Sequence, residues 1–581
     1  NRLVWDKCHE LYGDQPPQLI VDRLNVELGS ILGKYDVVYM SAQKLVQRSL
    51  ENGYLVGSRG SVGSSLVAYM SGITEVCPVC GEQYVKDGFD IPFETFLGYG
   101  GGKVPDIDLN FSGEYQARAH RHAVEMFGET QVFRAGTIGT LKDKTVYPFV
   151  KHYLEENGRE VSRAEENRLI QGCVGVRRTT GQHPGGLVVV PDDMDVEDFT
   201  AVQHPADAED ADTITTHFEY HCMEDNLLKL DMLGHDDPTM IRMLEDLTGV
   251  NARQIPLDDP DTMSIFVSSK VLGFENDELL GPTGAVAIPE FNTRFTRGML
   301  MDTLPKDFNT LVRLSGFSHG TDVWLGNARE LIVSGTASVL ETVGCRDDIM
   351  LYLISMGLDP KMSFKIMEAV RKGKVKKGGF QEGWVEAMQE HNVPQWYIDS
   401  LAKIGYLFPK AHAVAYVMMA FRIAWFKVHR PLAFYATFFT VRAKAFDAEY
   451  CCAGIDAVKQ KIREIENNKD ATAVEKNLMV TLEVCYEFYL RGFHFDTISI
   501  YDSDATAFKI TENGLLPPFI SVRGLGESAA LDTVEKRKGK RFISVEEFST
   551  CCNKLSKTHI EQLKALGSFA GMADTSQITL F

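Results

Sequence analysis

Long apolar segments and a dense cysteine framework are both lacking in this 581-residue chain. The longest apolar run, 413–426, contains Arg422 and is shorter than the ~20 residues that a membrane-spanning helix needs. The 11 cysteines are scattered, which argues against a secreted disulfide scaffold and favours a reducing compartment. We therefore expect a soluble, cytoplasmic protein with no membrane partner.

An excess of positive charge is also lacking. The chain has 60 Lys and Arg against 80 Asp and Glu, a formal net charge of −20. This balance argues at first against nucleic-acid binding, but local basic groups are sufficient to contact phosphates. Basic clusters occur at Arg177-Arg178, 371–377 and 536–541. The alternative interpretation of each cluster is a solvated surface.

Two carboxylates separated by one apolar residue lie in the segment 103–111, which otherwise has the pattern of a buried strand. Asp106 and Asp108 would point to the same face, because side chains alternate along a strand. Like charges this close repel each other and require a cation nearby. Oxygen ligands suit Mg²⁺. The alternative is a solvated loop.

A third carboxylate, Asp231, lies in the middle of the apolar segment 227–233, with Lys229 on the same face. If this segment forms a strand beside that of Asp106 and Asp108, three carboxylates converge. Such a triad can hold two divalent ions, the arrangement that catalyses phosphoryl and nucleotidyl transfer.

A Gly/Ser segment upstream, 54–70, predicts a short strand, a polar loop and an apolar helix. Gly57, Ser58 and Arg59 are candidate phosphate ligands, because glycines allow close approach of an anion and a helix N-terminus offers free amides. It is not a P-loop, since no Lys follows the last glycine. A flexible linker, the alternative, conflicts with the apolar flanks.

Two further segments leave alternatives open. Cys77 and Cys80 have zinc-knuckle spacing, but no second Cys-X-X-Cys lies nearby, so they form half of a zinc site or bind nothing. The segment 177–186 predicts a Gly-rich turn that leads into a buried strand and places His183 at the strand edge. For a lone histidine we favour a structural role. The stretch 114–158 is predicted to be rich in helix.

The chain is mostly helical from about residue 249 onward. Lys410 would begin a long helix, where a cation is unfavourable unless an anion is bound. His412 and Tyr416 would share one face of that helix and present a flat surface to a base. The alternative is an ordinary buried helix with a polar start.

The last part of the chain changes character. The segment 520–530 has the apolar-X-Gly-apolar-Gly form of a helix–hairpin–helix turn, which directs backbone amides at a phosphate. Ser556 and Gly567 have the residue types of an N-cap and a C-cap. The terminal residues Gln577, Leu580 and Phe581 are typical of a short peptide ligand.

Taken together, these motifs resemble the C-terminal half of the C-family bacterial replicative DNA polymerases, the PolC type of DNA polymerase III alpha subunit. The resemblance covers essentially the whole chain and depends on six motifs, at 57–65, 105–115, 180–186, 228–238, 320–327 and 408–416.

The resemblance implies an α+β multidomain fold. It comprises a polymerase-β-like nucleotidyltransferase palm (1–115 and 176–245), an inserted helical thumb (116–175), large mostly helical fingers (246–435), a C-terminal duplex-binding domain with a helix–hairpin–helix (436–576) and a clamp-binding tail (577–581). Upstream OB, PHP and exonuclease domains are not matched, so we expect no proofreading by this chain.

The resemblance also implies roles for individual residues. Asp106, Asp108 and Asp231 would be catalytic and would bind two Mg²⁺ ions. The triphosphate would be bound by Gly57, Ser58, Arg59, Arg346, Arg371, Lys372, Lys374 and Lys410. The nascent base pair would contact His412 and Tyr416. DNA would be bound by Arg177, Arg178, Arg523, Gly524, Gly526, Lys536 and Arg537. Gln577, Leu580 and Phe581 would bind the sliding clamp.

The predicted function is therefore template-directed DNA synthesis in chromosome replication. The expected partners are primer–template DNA, deoxynucleoside triphosphates, the sliding clamp and other replisome subunits. Zn²⁺ at Cys77 and Cys80 remains an open alternative. Two other functions are an untemplated nucleotidyltransferase, which shares the carboxylate chemistry, and a catalytically silent DNA- or clamp-binding subunit. The intact carboxylate triad argues against the silent subunit.

Overall fold

The computed structural model describes residues 1–79, 91–205, 213–224 and 226–576. The chain forms two compact units. We call Val37–Ser58 with Asp106–His235 the sheet unit, and Asn1–Asp36 with Arg59–Pro105 and Asp236–Phe581 the helical unit.

A seven-stranded mixed sheet organises the sheet unit. Its strands are β1 (Gly57–Arg59, which ends at the unit boundary), β2 (Asp108–Ser112), β3 (Val132–Thr140), β4 (Arg177–Val189), β5 (Val202–Gln203), β6 (Thr215–Glu219) and β7 (Leu228–His235). Their spatial order is β1-β2-β7-β4-β3-β6-β5. The parallel pairs are β2 with β7 and β3 with β6, whereas β4 runs antiparallel to both β7 and β3.

Four helices accompany this sheet, namely Asp36–Glu51, Gln116–Phe127, Asp143–Glu156 and Arg163–Cys173. The last two pack together through Val146, Val150, Leu154 and Ile170. The first three of these residues recur every fourth position and so form one apolar stripe. A second core, under the sheet, contains Ala135, Val188, Val190, Val196, Met223 and Leu227.

One sequence prediction for this unit is wrong. The segment 177–186 is not a turn, because β4 runs without interruption from Arg177 to Val189. The stretch 114–158 is rich in helix, as predicted, and it also contains β3. A glycine in β3 allows the backbone of the neighbouring strand β6 to approach closely. A Cβ on Gly136 would lie 1.9 Å from the carbonyl oxygen of Thr216 in β6.

The helical unit contains most of the chain. Its helices are Arg2–Tyr12, Gln18–Ile31, Leu66–Met70, Glu94–Leu97, Asp236–Thr248, Pro260–Ser264, Arg294–Thr303, Phe308–His319, Arg329–Val333, Arg346–Ser355, Pro360–Arg371, Lys374–Gly378, Trp384–Glu390, Gln395–Lys403, Lys410–His429, Pro431–Val441, Ala448–Cys451, Ile455–Asn467, Ala473–Leu490, Glu527–Lys536, Val545–Cys551 and Lys557–Ala565. A small sheet contains β8 (His494–Phe495), β9 (Lys509–Ile510) and β10 (Gly514–Leu516), with β10 between the other two.

Two predictions for this unit are confirmed. Ser556 caps the helix Lys557–Ala565 by accepting from the amide of His559. Gly567, just past that helix, has φ +86°.

Among the described residues one helix, Lys410–His429, is long and apolar enough to cross a membrane, but 89% of its apolar window is buried inside the protein. It contacts the helices Phe308–His319 and Pro431–Val441. It therefore has the environment of a core helix.

Candidate functional site

The carboxylates of Asp106, Asp108 and Asp231 converge at one edge of the β2–β7 pair. One oxygen from each lies within 4.8 Å of the others. Asp108 and Asp231 are register partners across the parallel ladder, so their side chains leave the sheet on the same face. Asp106 precedes β2 by two residues and is exposed, whereas the other two are partly buried. The predicted convergence is confirmed.

The environment of Asp231 favours a cation. Lys229 Nζ lies 2.7 Å from Asp231 Oδ2. Within the described ranges, Asp231 Oδ1 is buried and has no hydrogen-bond partner. A buried carboxylate oxygen normally has a donor or a metal ion as its partner. Three carboxylates with such an oxygen fit the hard, oxygen-preferring Mg²⁺.

His183 lies beside this centre, with Nδ1 3.6 Å from Asp231 Oδ1. The amides of Gly185 and Gly186 donate to this Nδ1 at 3.3 Å and 2.7 Å. Backbone amides cannot accept a proton, so Nδ1 is an acceptor and does not donate to Asp231. Burial, with the charge of Lys229, lowers the pKa of His183. His183 therefore lies beside the carboxylate centre, a position that the structural role favoured from the sequence did not anticipate.

Glycine is needed beside Asp231. Gly186 in β4 is the register partner of Asp231 on the side opposite β2. A Cβ on Gly186 would lie 2.8 Å from His183 Nδ1 and 3.0 Å from Lys229 Cε. A side chain there would displace both neighbours of the carboxylate.

Three polar residues that the sequence analysis missed hold the strands around the centre. Gln116 donates to the carbonyls of Pro184 and Met232 at 3.0 Å and 2.8 Å. His120 donates through Nε2 to the same Met232 carbonyl, and its Nδ1 accepts from Arg134 at 2.9 Å. Gln116 and His120 occur one helical turn apart, on the helix Gln116–Phe127. The spacing of four residues between them could have indicated a shared role from the sequence, since it places both side chains on one helix face.

The chain is similar to several known proteins and family models. The model of the bacterial DNA polymerase III alpha NTPase domain matches residues 1–166 and 150–234, the alpha subunit finger domain matches 237–392, and a helix-hairpin-helix motif matches 492–577. The whole chain aligns with DNA polymerase III PolC-type of Caldanaerobacter subterraneus at 54% identity, and with those of Halalkalibacterium halodurans and Bacillus subtilis at 50%. The chain belongs to the PolC-type DNA polymerase III family.

The match is to part of each relative. The chain spans 44%, 43% and 42% of the lengths of these three proteins. Its architecture agrees with the family models at the level of a mixed α/β multidomain chain with a helix-rich finger region and a helix–hairpin–helix domain.

In this PolC-type chain the Gly/Ser segment has the predicted order of strand, turn and helix. Gly57 and Ser58, however, lie in the buried edge strand β1 and not in the loop. The following helix, Leu66–Met70, is only 5 residues long. Its N-terminal amides are already bound within the helical unit, because Glu27 accepts from the amides of Leu66 and Val67, each at 3.0 Å. The anion predicted at this helix start is therefore the chain's own Glu27.

Four cations form a cluster in the helical unit, which we call the cation cluster: Lys103, Arg346, Arg371 and Lys372. The pKa of Lys103 is lowered to about 8 by desolvation and then by the charges of the other three. Arg346 is buried and donates to the carbonyl of Thr95, while Arg371 donates to Glu368 at 2.9 Å. Lys103 was missed as a candidate. Lys374, also predicted, is exposed at the start of the helix Lys374–Gly378.

Lys410 is buried, with 2% of its surface exposed. Its backbone amide donates to Asp347 Oδ2 at 2.7 Å. Burial lowers the pKa of the Lys410 ammonium group, and the charge of Asp348 opposes this shift. The anion predicted at the start of this helix is again internal, so direct binding of a triphosphate by Lys410 is not supported by its placement.

His412 and Tyr416 form one stack with Phe408. The His412 ring centroid lies 4.9 Å from that of Phe408 and 4.5 Å from that of Tyr416. His412 Nδ1 accepts from the amide of Gly60 at 3.1 Å. Burial, followed by the charges of His319 and Arg59, lowers the pKa of His412 to about 3. The ring is therefore neutral at physiological pH.

The predicted DNA-binding residues fall into two groups. Arg177 and Arg178 are exposed at the start of β4, and the Arg178 guanidinium lies 5.2 Å from the centre of the Phe149 ring. In the helix–hairpin–helix, Arg523, Gly524 and Gly526 are exposed just before the helix Glu527–Lys536. Gly524 has φ +78°, a backbone conformation that favours glycine.

The last two basic residues of this prediction are engaged within the protein. Lys536 pairs with Asp532 at 3.0 Å. Arg537 is buried, donates to the carbonyl of Ile500 at 3.0 Å and lies 5.3 Å from the centre of the Phe519 ring. The prediction of a DNA contact by Arg537 is therefore corrected to a structural role, because its guanidinium fills an internal site.

Of the two cysteines predicted as a zinc half-site, Cys77 is buried. Cys80 and the tail residues Gln577, Leu580 and Phe581 lie outside the described residues.

Proposed function

We propose that this chain carries out template-directed DNA synthesis in chromosome replication. It would add deoxynucleotides from their triphosphates to a primer 3′-hydroxyl and release pyrophosphate. The observation that carries the proposal is the convergence of Asp106, Asp108 and Asp231 within 4.8 Å. Membership of the PolC-type family supports it.

The three carboxylates would hold two Mg²⁺ ions. When bound, Mg²⁺ lowers the pKa of the attacking hydroxyl and neutralises charge that develops on the leaving pyrophosphate. Lys229 supplies a positive charge to Asp231 at 2.7 Å. Gln116 and His120 keep the β7 backbone in place through the Met232 carbonyl.

The finer domain assignment belongs to the same proposal. Residues 1–115 and 176–245 would be the polymerase-β-like palm, and residues 116–175 the inserted thumb. Residues 246–435 would be the fingers, and residues 436–576 the duplex-binding domain. The parallel β2–β7 pair with its in-register carboxylates supports the palm. The finger-domain match over 237–392 and the helix–hairpin–helix match over 492–577 support the other two.

Substrate binding would use several groups of residues. The cation cluster, together with Lys374, Gly57, Ser58 and Arg59, would contact the triphosphate, since guanidinium and ammonium groups suit phosphate oxygens. The stack of His412 and Tyr416, which is neutral at His412 and buried, would lie beside the nascent base pair. Arg177, Arg178 and the turn at Arg523, Gly524 and Gly526 would contact the DNA backbone without reading sequence.

The same family membership supports proposals for the remaining partners. The tail residues Gln577, Leu580 and Phe581 would bind the sliding clamp through an apolar anchor, and the chain would act with other replisome subunits in the cytoplasm. A zinc ion at Cys77 and Cys80 would need further ligands. Metal analysis of the purified chain, before and after Cys77→Ser, tests this part.

Primer extension is the decisive experiment for the proposal. The 581-residue chain is incubated with the four triphosphates and Mg²⁺, on a primed template and on an unpaired primer. Extension that copies the template supports the proposal. Equal extension of the unpaired primer would identify an untemplated nucleotidyltransferase instead, and duplex binding without extension would identify a silent subunit.

A further inference from the structure

A chain of hydrogen bonds leads from His412 to a carboxylate inside the helical unit. His412 Nε2 lies 3.0 Å from His319 Nδ1. His319 Nε2 lies 2.6 Å from Glu290 Oε2. At the other end, the amide of Gly60 donates to His412 Nδ1 at 3.1 Å. This series of hydrogen bonds therefore has a backbone donor, Gly60, at one end and a carboxylate acceptor, Glu290, at the other.

These two ends decide where every proton lies. A backbone amide only donates, so His412 Nδ1 is an acceptor. The ring of His412 is neutral, because its pKa is lowered to about 3, and its single proton is therefore on Nε2. His319 Nδ1 must accept that proton's hydrogen bond, which leaves the proton of His319 on Nε2, directed at Glu290. Reversing either tautomer would place two protons or two lone pairs face to face.

The backbone around Glu290 is held in an unusual conformation. Glu290 has φ +69° and Ala287 has φ +64°, left-handed values that strain a non-glycine residue and cluster at functional sites. The fully buried Lys427 donates to the carbonyls of Gly284 and Val286, at 2.7 Å and 2.6 Å. Asn292 Oδ1 accepts from the amide of Ala287 at 2.7 Å.

The ring of His319 also contacts neighbouring aromatic rings directly. His319 makes edge contacts with Phe408 and Tyr416, at centroid distances of 5.6 Å and 5.8 Å. A change in the plane of His319 would therefore disturb the whole stack in which His412 lies. Glu290 also accepts from Ser315 Oγ at 3.1 Å, a bond that does not involve the histidines.

We propose that Glu290 is a positioning residue that, acting through His319, reinforces the His412 tautomer set by the Gly60 amide and fixes the plane of the His412 ring. This rests on the proposed function, in which His412 and Tyr416 face the nascent base pair. His412 is buried, so a fixed proton and plane would give the stack one arrangement for every incoming nucleotide, whereas a ring free to change tautomer or to rotate would not. Glu290 and His319 would thus affect nucleotide binding without contacting the nucleotide.

The tautomer can be measured directly. The ¹⁵N spectrum of histidine-labelled protein distinguishes a protonated Nε2 from a protonated Nδ1. Glu290→Ala removes the terminal acceptor, and Glu290→Gln retains an acceptor oxygen. Both replacements keep a Cβ, so the backbone at φ +69° is equally strained in the two variants. We expect the His319 and His412 signals to change in the alanine variant and to remain near wild type in the glutamine variant.

Activity provides a second, separate readout. His319→Phe keeps a flat ring but removes both ring nitrogens, whereas His319→Gln retains one acceptor and one donor. Loss of a buried hydrogen bond of this kind should raise the KM for the incoming nucleotide about five- to tenfold in His319→Phe and Glu290→Ala, with a smaller change in kcat. His319→Gln and Glu290→Gln should restore most of the loss. Ser315→Ala, which spares the histidine chain, is the matched control.

The outcomes separate the inference from the proposed function. Unchanged ¹⁵N signals in Glu290→Ala, with the protein folded by its melting curve, would overturn the inference. Changed signals with an unaltered nucleotide KM would overturn the positioning role at the nucleotide site. Failure of the wild-type chain to extend a primer would overturn the proposed function, while the tautomer measurement would remain interpretable.

Discussion

Asp108 and Asp231 are register partners on the adjacent parallel strands β2 and β7. In a parallel pair, partnered side chains leave the sheet on the same face. The strand register therefore sets the separation of these two carboxylates without a loop. Rigid elements of this kind hold functional groups more tightly than loops do. Gly186 is the partner of Asp231 on β4, on the side of β7 opposite β2. Because it has no side chain, it leaves room for the side chains of His183 and Lys229.

The first prediction concerns Asp108 itself. Asp108→Asn keeps the shape of the side chain but removes a negative oxygen, so we expect primer extension to fall by at least about a thousandfold. Duplex binding and the melting temperature should change little. Asp193→Asn, at an exposed position of the same unit, is the matched control. Retained extension in Asp108→Asn would contradict the assignment of the triad.

The triad was predictable because each member interrupts a local apolar pattern. Asp106, Asp108 and Asp231 all lie in segments that otherwise have the composition of buried strands, so each required a counter-charge. The parallel pairing that brings them together is a contact between residues far apart in sequence. Local patterns do not determine such pairing, and the convergence was therefore a conditional prediction until the sheet order was known.

Other parts of the site were not predictable for a related reason. The starts of the helices Leu66–Met70 and Lys410–His429 were expected to bind an external anion, and each instead has an internal one, Glu27 and Asp347. The sequence identifies the unsatisfied amides at a helix start. It does not identify which distant carboxylate reaches them. His319 and Glu290 were missed in the same way.

Lys229 is the subject of the second prediction. It supplies positive charge to Asp231, so Lys229→Met should destabilise the metal-free protein by about 1–2 kcal/mol. Mg²⁺ at the triad should supply the missing charge and reduce this loss. Melting curves in EDTA and in Mg²⁺ measure the difference.

Lys151→Met is the control for Lys229→Met. Lys151 forms an ion pair with Glu166 at 3.1 Å in the same unit, away from the triad. The melting temperature of the Lys151→Met variant should change with Mg²⁺ by the same amount as that of the wild type. If Lys229→Met also responds as the wild type does, then the ammonium group and the metal do not share Asp231.

Glu27 provides a third prediction, about stability. Its fully buried carboxylate accepts from Ser65 Oγ at 2.8 Å and from the amides of Leu66 and Val67. Glu27→Ala leaves these donors unsatisfied and should destabilise the protein by about 3–5 kcal/mol. Glu27→Gln, which retains one acceptor oxygen, should lose less. Thermal unfolding measures both, and equal melting temperatures of the two variants would contradict the capping role.

A fourth prediction concerns the terminal residues. Removing 577–581 should abolish stimulation of primer extension by the sliding clamp, because the apolar anchor is lost. Extension without the clamp should be unchanged. Product lengths measured with and without the clamp test this, and Thr579→Ala is the control within the same segment. Full stimulation of the shortened chain would place the clamp contact elsewhere.

The fifth prediction is a pH dependence at the cation cluster. The pKa of Lys103 is lowered to about 8, first by desolvation and then by Arg346 and Arg371. A bound triphosphate is an anion, so it raises this pKa and the protein takes up a proton on binding. Linkage then requires that affinity be highest below about pH 8 and fall as the pH rises through it.

Calorimetry tests the sign of this coupling. Binding of a non-hydrolysable triphosphate near pH 8, measured in two buffers with different ionisation enthalpies, should show proton uptake by the wild type. Lys103→Met should bind more weakly below about pH 8 and show no uptake, because no titrating ammonium group remains. Lys103→Arg retains the charge over the whole range and should bind without uptake. Proton uptake that persists in Lys103→Met would assign the coupling to a different group and remove Lys103 from the triphosphate site.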